Sequence, residues 1–354
     1  MPFTCRPLPL PLQTPFRTAH GASEQRTNAF VTLDDGEHTF FGEGALPPYY
    51  PHDVEDVARY VETLDPDALL AGPPFALDAA LARLPADGPA PARCAVDLTL
   101  HDRWARALGR PLYELLGLDP SDAPSSSVTL SLPDDLDTLR ERARAHRSAP
   151  VLKLKLGADS IEKDEQAVRI VQEEIAQEET GPDNTGTLLG VDANEAWTVE
   201  DAATIIPRLA GLLFVEEPIR ERDPEAWHRL HEQLSGSAHP PLIADESVQE
   251  ARDIARLAPW VDGINVKLAK AGGLAGARQW IATARALELQ VLLGCMIESS
   301  LAVTAAAHLA PLADFADLDG ALSLTDDPFD GVQLRDGRLH LPDRPGLGVE
   351  RRGA

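Results

Sequence analysis

Two short runs of apolar and β-branched residues, Phe30-Val31-Thr32-Leu33 and His38-Thr39-Phe40-Phe41, flank the turn signal Asp34-Asp35-Gly36 and predict a β-hairpin. The spacing then lengthens. From Ala92 to Leu116 apolar residues recur at helical intervals with a break at Gly109-Arg110-Pro111, which predicts two packed helices. Residues 1 to about 120 therefore read as an α+β module, followed by a polar, Pro-containing linker from Ser121 to Ser127. Beyond it, apolar runs near 127–132, 150–155, 187–192, 212–216, 241–245, 262–267, 290–295 and 315–318 alternate with amphipathic stretches. Eight strands in that alternation predict a parallel (β/α) barrel over residues 121–325. The acidic, turn-rich stretch Glu173 to Thr187 reads as an inserted surface loop. Residues 326–354, with Pro345-Gly346-Leu347-Gly348, read as a turn-rich segment returning to the first module.

In such barrels the chemistry sits where strands end, so charged residues that close apolar runs carry weight. Asp192 in LLGVDAN, Glu216 in LLFVEEP and Asp245 in PLIADES close three successive runs. Any one of them also fits a helix N-cap. Together, three converging carboxylates repel one another unless a cation sits among them, and all-oxygen donors suit hard Mg²⁺. Asn194 and Glu217 are expected beside them. On the second strand Lys153 and Lys155 share one face by the period of two, pointing into the barrel. Desolvation and the neighbouring Lys153 charge are expected to lower the Lys155 pKa and make it a base near neutral pH. The sixth strand ends at Lys267, across the barrel from the second, so two lysines can flank one bound carbon. Lys270 lies past that strand end and reads as a supporting residue. Asp317 and Asp319 share a face on the eighth strand, away from the three-acid group, and form an anionic pair suited to a substrate ammonium; a capped turn before Gly320 is the alternative.

Composition sharpens this picture at one point. Only five lysines occur, Lys153, Lys155, Lys163, Lys267 and Lys270, against 27 arginines, and four of the five fall in the two strand segments just named. Acidic residues exceed basic ones by 25, a field that repels nucleic acid phosphates and anionic membranes. No run approaches a membrane span, the start MPFTCRPLPLPL lacks a secretory pattern, and the scattered Cys5, Cys94 and Cys295 suit a reducing compartment, so a cytoplasmic location is expected.

These segments resemble the enolase superfamily, muconate-lactonising-enzyme subgroup, and most of all its dipeptide epimerases, such as those acting on Ala-D/L-Glu. The resemblance rests on AVDLTLHDRWARALGRPLYELLG, KLKLG, VDAN, VEEP, ADES, NVKLAKAGG, GCMIESS with TAAAH, and the final Asp317-Leu318-Asp319. It implies a modified barrel, (β/α)7β, under an α+β capping domain. It implies Mg²⁺ on Asp192, Glu216 and Asp245, acid/base roles for Lys155 and Lys267 with Lys153 as helper, and inversion of a dipeptide's C-terminal α-carbon through an enolate. Asp317 and Asp319 would grip the α-ammonium, with Glu298, Met296, Thr129 and Gly21 lining the substrate. The stretch Phe16-Arg17-Thr18-Ala19-His20-Gly21 resembles the family's lid, but members acting on Ala-Glu carry an arginine where Gly21 stands. Arg17 or Arg26 would then replace it, or the second residue is not glutamate. An o-succinylbenzoate synthase or cycloisomerase would need the lysines and metal but no ammonium grip, and a silent metal-binding barrel would not need both lysines. A small-molecule dipeptide is the expected partner; homo-oligomerisation stays open.

Overall fold

The computed structural model describes residues 3–18, 21–73, 75–131, 135–158, 160–177 and 186–353, with the side chains of 15–22 outside that description. Its first element is one the sequence pattern did not indicate. Phe3–Thr18 forms a long strand, β1, antiparallel to β2 (Gly21–Asp34), which pairs in turn with β3 (Thr39–Gly44). Proline is tolerated in a strand only where its missing N–H faces an unpaired edge. Pro7, Pro9 and Pro11 occupy alternate positions opposite Ala29, Thr27 and Gln25, so all three present the same side. The Pro11 carbonyl accepts from the Thr325 amide 2.9 Å away, on the side opposite β2, which shows that this side is the outer edge. The β2–β3 pair is the expected hairpin. The lid-like stretch belongs to the β1–β2 hairpin, with Thr18 opposite Gly21; Ala19 and His20 lie outside the described residues.

The barrel strands are β4 (Val128–Leu130), β5 (Val151–Lys155), β6 (Leu188–Asp192), β7 (Val215–Glu216), β8 (Leu242–Ala244), β9 (Gly263–Lys267), β10 (Gln290–Gly294) and β11 (Phe315–Asp317). All are parallel to their neighbours in chain order, and a bridge between Ser126 and Ala316 joins the two ends of the sheet. Each of the first seven is followed by an α-helix; β11 is followed by a 3₁₀ turn, Gly320–Ser323. This is the (β/α)7β arrangement. Alternation sorts the side chains: Leu152 and Leu154 enter the apolar layer under the helices, and Lys153 and Lys155 take the inner face. Gly190 shares the face of Asp192 and leaves room for the Phe214 ring, which a β-carbon there would meet at 2.5 Å. One expectation needs correcting. Glu173 and Glu174 belong to the helix Ile161–Ile175, where buried Glu174 binds Arg140 at 2.7 Å and Arg144 at 3.1 Å; residues 178–185 of the expected loop lie outside the description.

What positions the site is the seating of the first module on the barrel. The helix Ala90–Ala107 lies against β3, and its Asp97 accepts the backbone amide of Leu274 at 2.7 Å, capping the helix that follows β9. Farther along, Asp102 accepts from the Leu347 amide at 2.9 Å, and the ring of Phe329 packs on Phe30 and Phe41. Buried Glu43 receives Asn28 Nδ2 at 2.7 Å and the Ser299 amide at 3.1 Å, pinning the sheet to the loop after β10. The approach at β3 needs glycine: a β-carbon on Gly42 would fall 1.8 Å from the Ala95 carbonyl oxygen. Gly42→Ala is expected to destabilise the protein by about 1–3 kcal/mol through forced separation of sheet and helix, measured by urea unfolding. An unchanged midpoint would show that this contact is not tight.

Candidate active site

The carboxyl ends of the barrel strands open into a cavity of about 290 Å³, the size of a small polar ligand. Lys153, Lys155, Lys267, Thr129, Met296, Asp317 and Asp319 line it, together with Asn194, Glu246, Arg26 and Tyr49. Lys155 on β5 and Lys267 on β9 stand four strands apart in an eight-strand ring, which puts them on opposite walls.

Beneath them lie the acids. Asp192, Glu216 and Asp245 are buried at the ends of β6, β7 and just beyond β8. Lys155 Nζ donates to Asp192 at 2.5 Å, Lys267 Nζ to Asp245 at 2.5 Å, and Lys270 Nζ to Asp245 at 2.5 Å with a further bond to its backbone carbonyl at 2.6 Å. Lys153 serves three acids, Glu216 at 2.7 Å, Asp192 at 3.2 Å and Asp317 at 2.6 Å. The supporting shell is as expected: Glu217 accepts from the Asp245 amide at 2.6 Å, and the Asn194 amide donates to Asp192 at 2.9 Å. Asn194 and Glu217 hold left-handed backbone, φ 45° and 34°, conformations that non-glycine residues adopt where a site demands them.

At Lys267 and Lys153 the neighbouring carboxylates, which the sequence reading did not weigh, dominate over burial. Burial does act downward on Lys267, but Asp245, then Glu216 and Glu246, overrule it and hold the ammonium well above its ordinary value. Lys153 is held up likewise by Asp317, Glu216 and Asp192. Nor is the Asp317–Asp319 pair remote from the three acids, because Lys153 bridges Asp317 to Glu216 and Asp192. Asp317 also accepts from Ser127 Oγ at 2.5 Å, while Asp319 accepts from the Thr129 amide at 2.7 Å. Partial burial, then the Asp317 charge, push the Asp319 carboxyl up to about 6.

The donor chemistry fits a hard divalent cation. Burial, and next the Asp192 charge, push Glu216 up to about 8, the crowding that a cation relieves. Beside it Asn194 Oδ1 and Glu246 Oε2 are buried oxygens without hydrogen-bond donors. The carboxylates are turned toward ammonium groups, and among the described residues no three His, Cys, Asp or Glu side chains have metal-holding spacing as they stand. A cation would take over the neutralising role of Lys155, Lys153 and Lys267.

Two other expectations shift. Glu298 is not in the cavity lining; it is buried, accepts the Met296 amide at 3.3 Å, and burial, then the Glu43 charge, push its carboxyl up to about 8. Gly21 is placed only as backbone in the hairpin, and its surroundings are outside the description. The structure adds Glu246, which follows Asp245 directly and was within reach of strand-end reasoning. Of the two arginines offered in place of the lid residue, Arg26 lines the cavity, whereas Tyr49 was not within reach, because it comes from the first module and meets the cavity only through its seating over the barrel mouth.

Residues 137–353 match a family described as enolase C-terminal domain-like. The chain is 32% identical to an L-Ala-D/L-Glu epimerase of Bacteroides thetaiotaomicron, over 99% of this chain and 88% of that one. It is 35% identical to a hydrophobic dipeptide epimerase of Roseobacter litoralis, over 94% of each chain. A crystal structure of a dipeptide epimerase from Enterococcus faecalis V583, complexed with Mg and the dipeptide L-Leu-L-Tyr, superposes with a TM-score of 0.84 at 28% identity, covering 98% of each chain. No helix among the described residues is long and apolar enough to cross a membrane.

Proposed function

The chain belongs to the enolase C-terminal domain-like family, and from that premise we propose that it is a Mg²⁺-dependent dipeptide epimerase, inverting the α-carbon of the C-terminal residue by proton transfer. The carrying observation is the pair of lysines on opposite walls of one cavity, each beside a buried carboxylate.

In this reading Asp317 and Asp319 bind the dipeptide α-ammonium and fix which end enters the cavity. Asp192, Glu216 and Asp245 hold the cation, with Asn194 and Glu246 next to it. When bound, that ion draws off charge from the substrate carboxylate as the neighbouring C–H bond breaks. Lys155 Nζ takes the α-proton from one face, and Lys267 Nζ delivers a proton to the other; the reverse direction exchanges their roles. An ammonium held high by Asp245 is an acid in waiting, and it becomes a base once that carboxylate is engaged elsewhere. Lysine serves both duties because it gives up its proton under such changes, which arginine does not. Lys153 stays at the crossing of the two acidic groups and positions Asp317.

The test is a library of L,L-dipeptides incubated with the enzyme in ²H₂O and read by mass gain, where incorporation of one deuterium at the α-carbon of the second residue is expected. No gain in any dipeptide would end this reading. The ammonium grip has its own test. Asp319→Asn removes a charge that Lys153 does not touch directly, so dipeptide kcat/KM is expected to fall about 10²-fold while Mg²⁺ affinity is kept. Unchanged kinetics would remove Asp319 from the grip.

A further inference from the structure

Among the described residues five non-glycine residues hold a positive φ, and three of them, Asn194, Glu195 and Glu217, meet where the loops after β6 and β7 run side by side. Left-handed backbone crowds a β-carbon against the carbonyl oxygen, so such residues return to ordinary conformations unless their surroundings hold them. Backbone bonds supply part of the hold: the Glu195 amide donates to the Glu217 carbonyl at 2.9 Å, the Trp197 amide to that of Pro218 at 3.2 Å, and the Arg220 amide to that of Trp197 at 3.1 Å. One side-chain contact completes it. Arg222, from the loop after β7, closes a fork on the Glu195 carboxylate, with Nη2 2.7 Å from Oε2 and Nε donating to Oε1. The Glu195 side chain is 8% exposed and that of Arg222 45%, so the arginine covers the acid from the solvent side.

The turn matters because of the residue before Glu195. Asn194 lines the cavity, its backbone amide donates to Asp192 at 2.9 Å, its Nδ2 donates to Glu246 at 3.3 Å, and its Oδ1 is buried without a donor. Its direction is set by consecutive left-handed residues, φ 45° at Asn194 and 65° at Glu195, the second of which Arg222 grips. Arg222 also lies within electrostatic reach of Glu246 and Glu217. As a charge alone it opposes the binding of another cation nearby. As a clamp it favours one, because a bidentate arginine–carboxylate pair fixes direction as well as distance. The two effects have opposite signs, so they can be told apart. We propose that Arg222 is a positioning residue for the Mg²⁺ site: through its fork on Glu195 it holds the Asn194–Glu195 turn in the shape that keeps Asn194 beside Asp192 and Glu246. This rests on the cation assignment above, and it adds a residue outside the cavity lining.

The experiment titrates metal-free protein with Mg²⁺ by calorimetry in the absence of substrate, alongside the Mg²⁺ concentration for half-maximal deuterium uptake and the urea midpoint of the metal-free protein. Arg222→Gln is expected to weaken Mg²⁺ binding about 10-fold, the lower end of what residues behind a metal's ligands contribute, and to raise the half-maximal concentration in step. Arg222→Lys keeps the charge and loses the fork, so it is expected to weaken binding too, and it decides the matter should Arg222→Gln fail to fold. Glu195→Gly removes the carboxylate without strain, because glycine accepts a positive φ; in that background Arg222→Gln is expected to cause no further weakening. Unchanged or tighter Mg²⁺ binding by Arg222→Gln overturns the proposal, and a lowered urea midpoint at unchanged Kd does so by showing an ion pair that only stabilises the fold. Wild-type affinity in Arg222→Lys, or equal weakening by Arg222→Gln with and without Glu195, overturns it as well. Wild-type protein that binds no Mg²⁺ refutes the cation assignment itself, and this inference with it.

Discussion

Alanine at either Lys155 or Lys267 is expected to lower epimerisation by about 10²–10⁴-fold, because inversion needs removal of a proton on one face and delivery on the other. Exchange with solvent should divide the two variants. With one lysine intact, the epimer whose α-proton faces it still loses that proton and recovers deuterium with retained configuration; the opposite epimer exchanges poorly. The complementary variant should show the reverse preference. The surrounding ion pairs bear on how cleanly this is read. Asp245 keeps Lys270 when Lys267 is removed, and Asp192 keeps Lys153 at 3.2 Å when Lys155 is removed, so neither carboxylate is left bare in the cation-free protein. Deuterium incorporation into each purified epimer is the measurement. If both variants exchange the same epimer, the assignment of one lysine to each face is wrong.

Metal removal is expected to abolish turnover, and Mg²⁺ to restore it. Without a cation the three buried acids are still countered by lysines, so the protein should remain folded, at lower stability. Saturating Mg²⁺ at one hundred times its Kd would add about 2.7 kcal/mol, read as a higher melting temperature independent of catalysis. Full activity in protein shown by elemental analysis to be metal-free would refute the requirement. A melting temperature insensitive to Mg²⁺ would refute binding at the folded site.

The barrel was legible because its signals are local. Eight apolar runs, five of them closed by a charged residue, marked the strands, and the period of two on β5 put Lys153 and Lys155 on one face. The strand-end acids followed from the same pattern. Three things were not legible. Prolines read as breakers, so β1 passed unassigned, because an edge strand that tolerates them is defined by its partner and not by its own sequence. The lysine electrostatics depended on which side chains meet: Lys153 looks like a repulsive neighbour in the sequence and is in fact surrounded by Asp192, Glu216 and Asp317. Glu298 follows a strand end yet is outside the cavity lining, its carboxyl accepting the Met296 amide at 3.3 Å and feeling the charge of Glu43 from the first module. Tyr49 depends on the docking of that module.

The alternating prolines of β1 have a bearing on solubility. An exposed sheet edge invites a second copy of the same strand to add to it, and a net charge is a weak guard once two edges are in contact. Along its outer side β1 offers the carbonyls of Pro7, Pro9 and Pro11 but no N–H at those positions, and Thr325 already occupies one of the carbonyls. An incoming strand would find acceptors without the matching donors and would form half a ladder. The three residues that hid the strand from sequence reading therefore act as a chain terminator, ending the sheet at three strands and discouraging edge-to-edge aggregation.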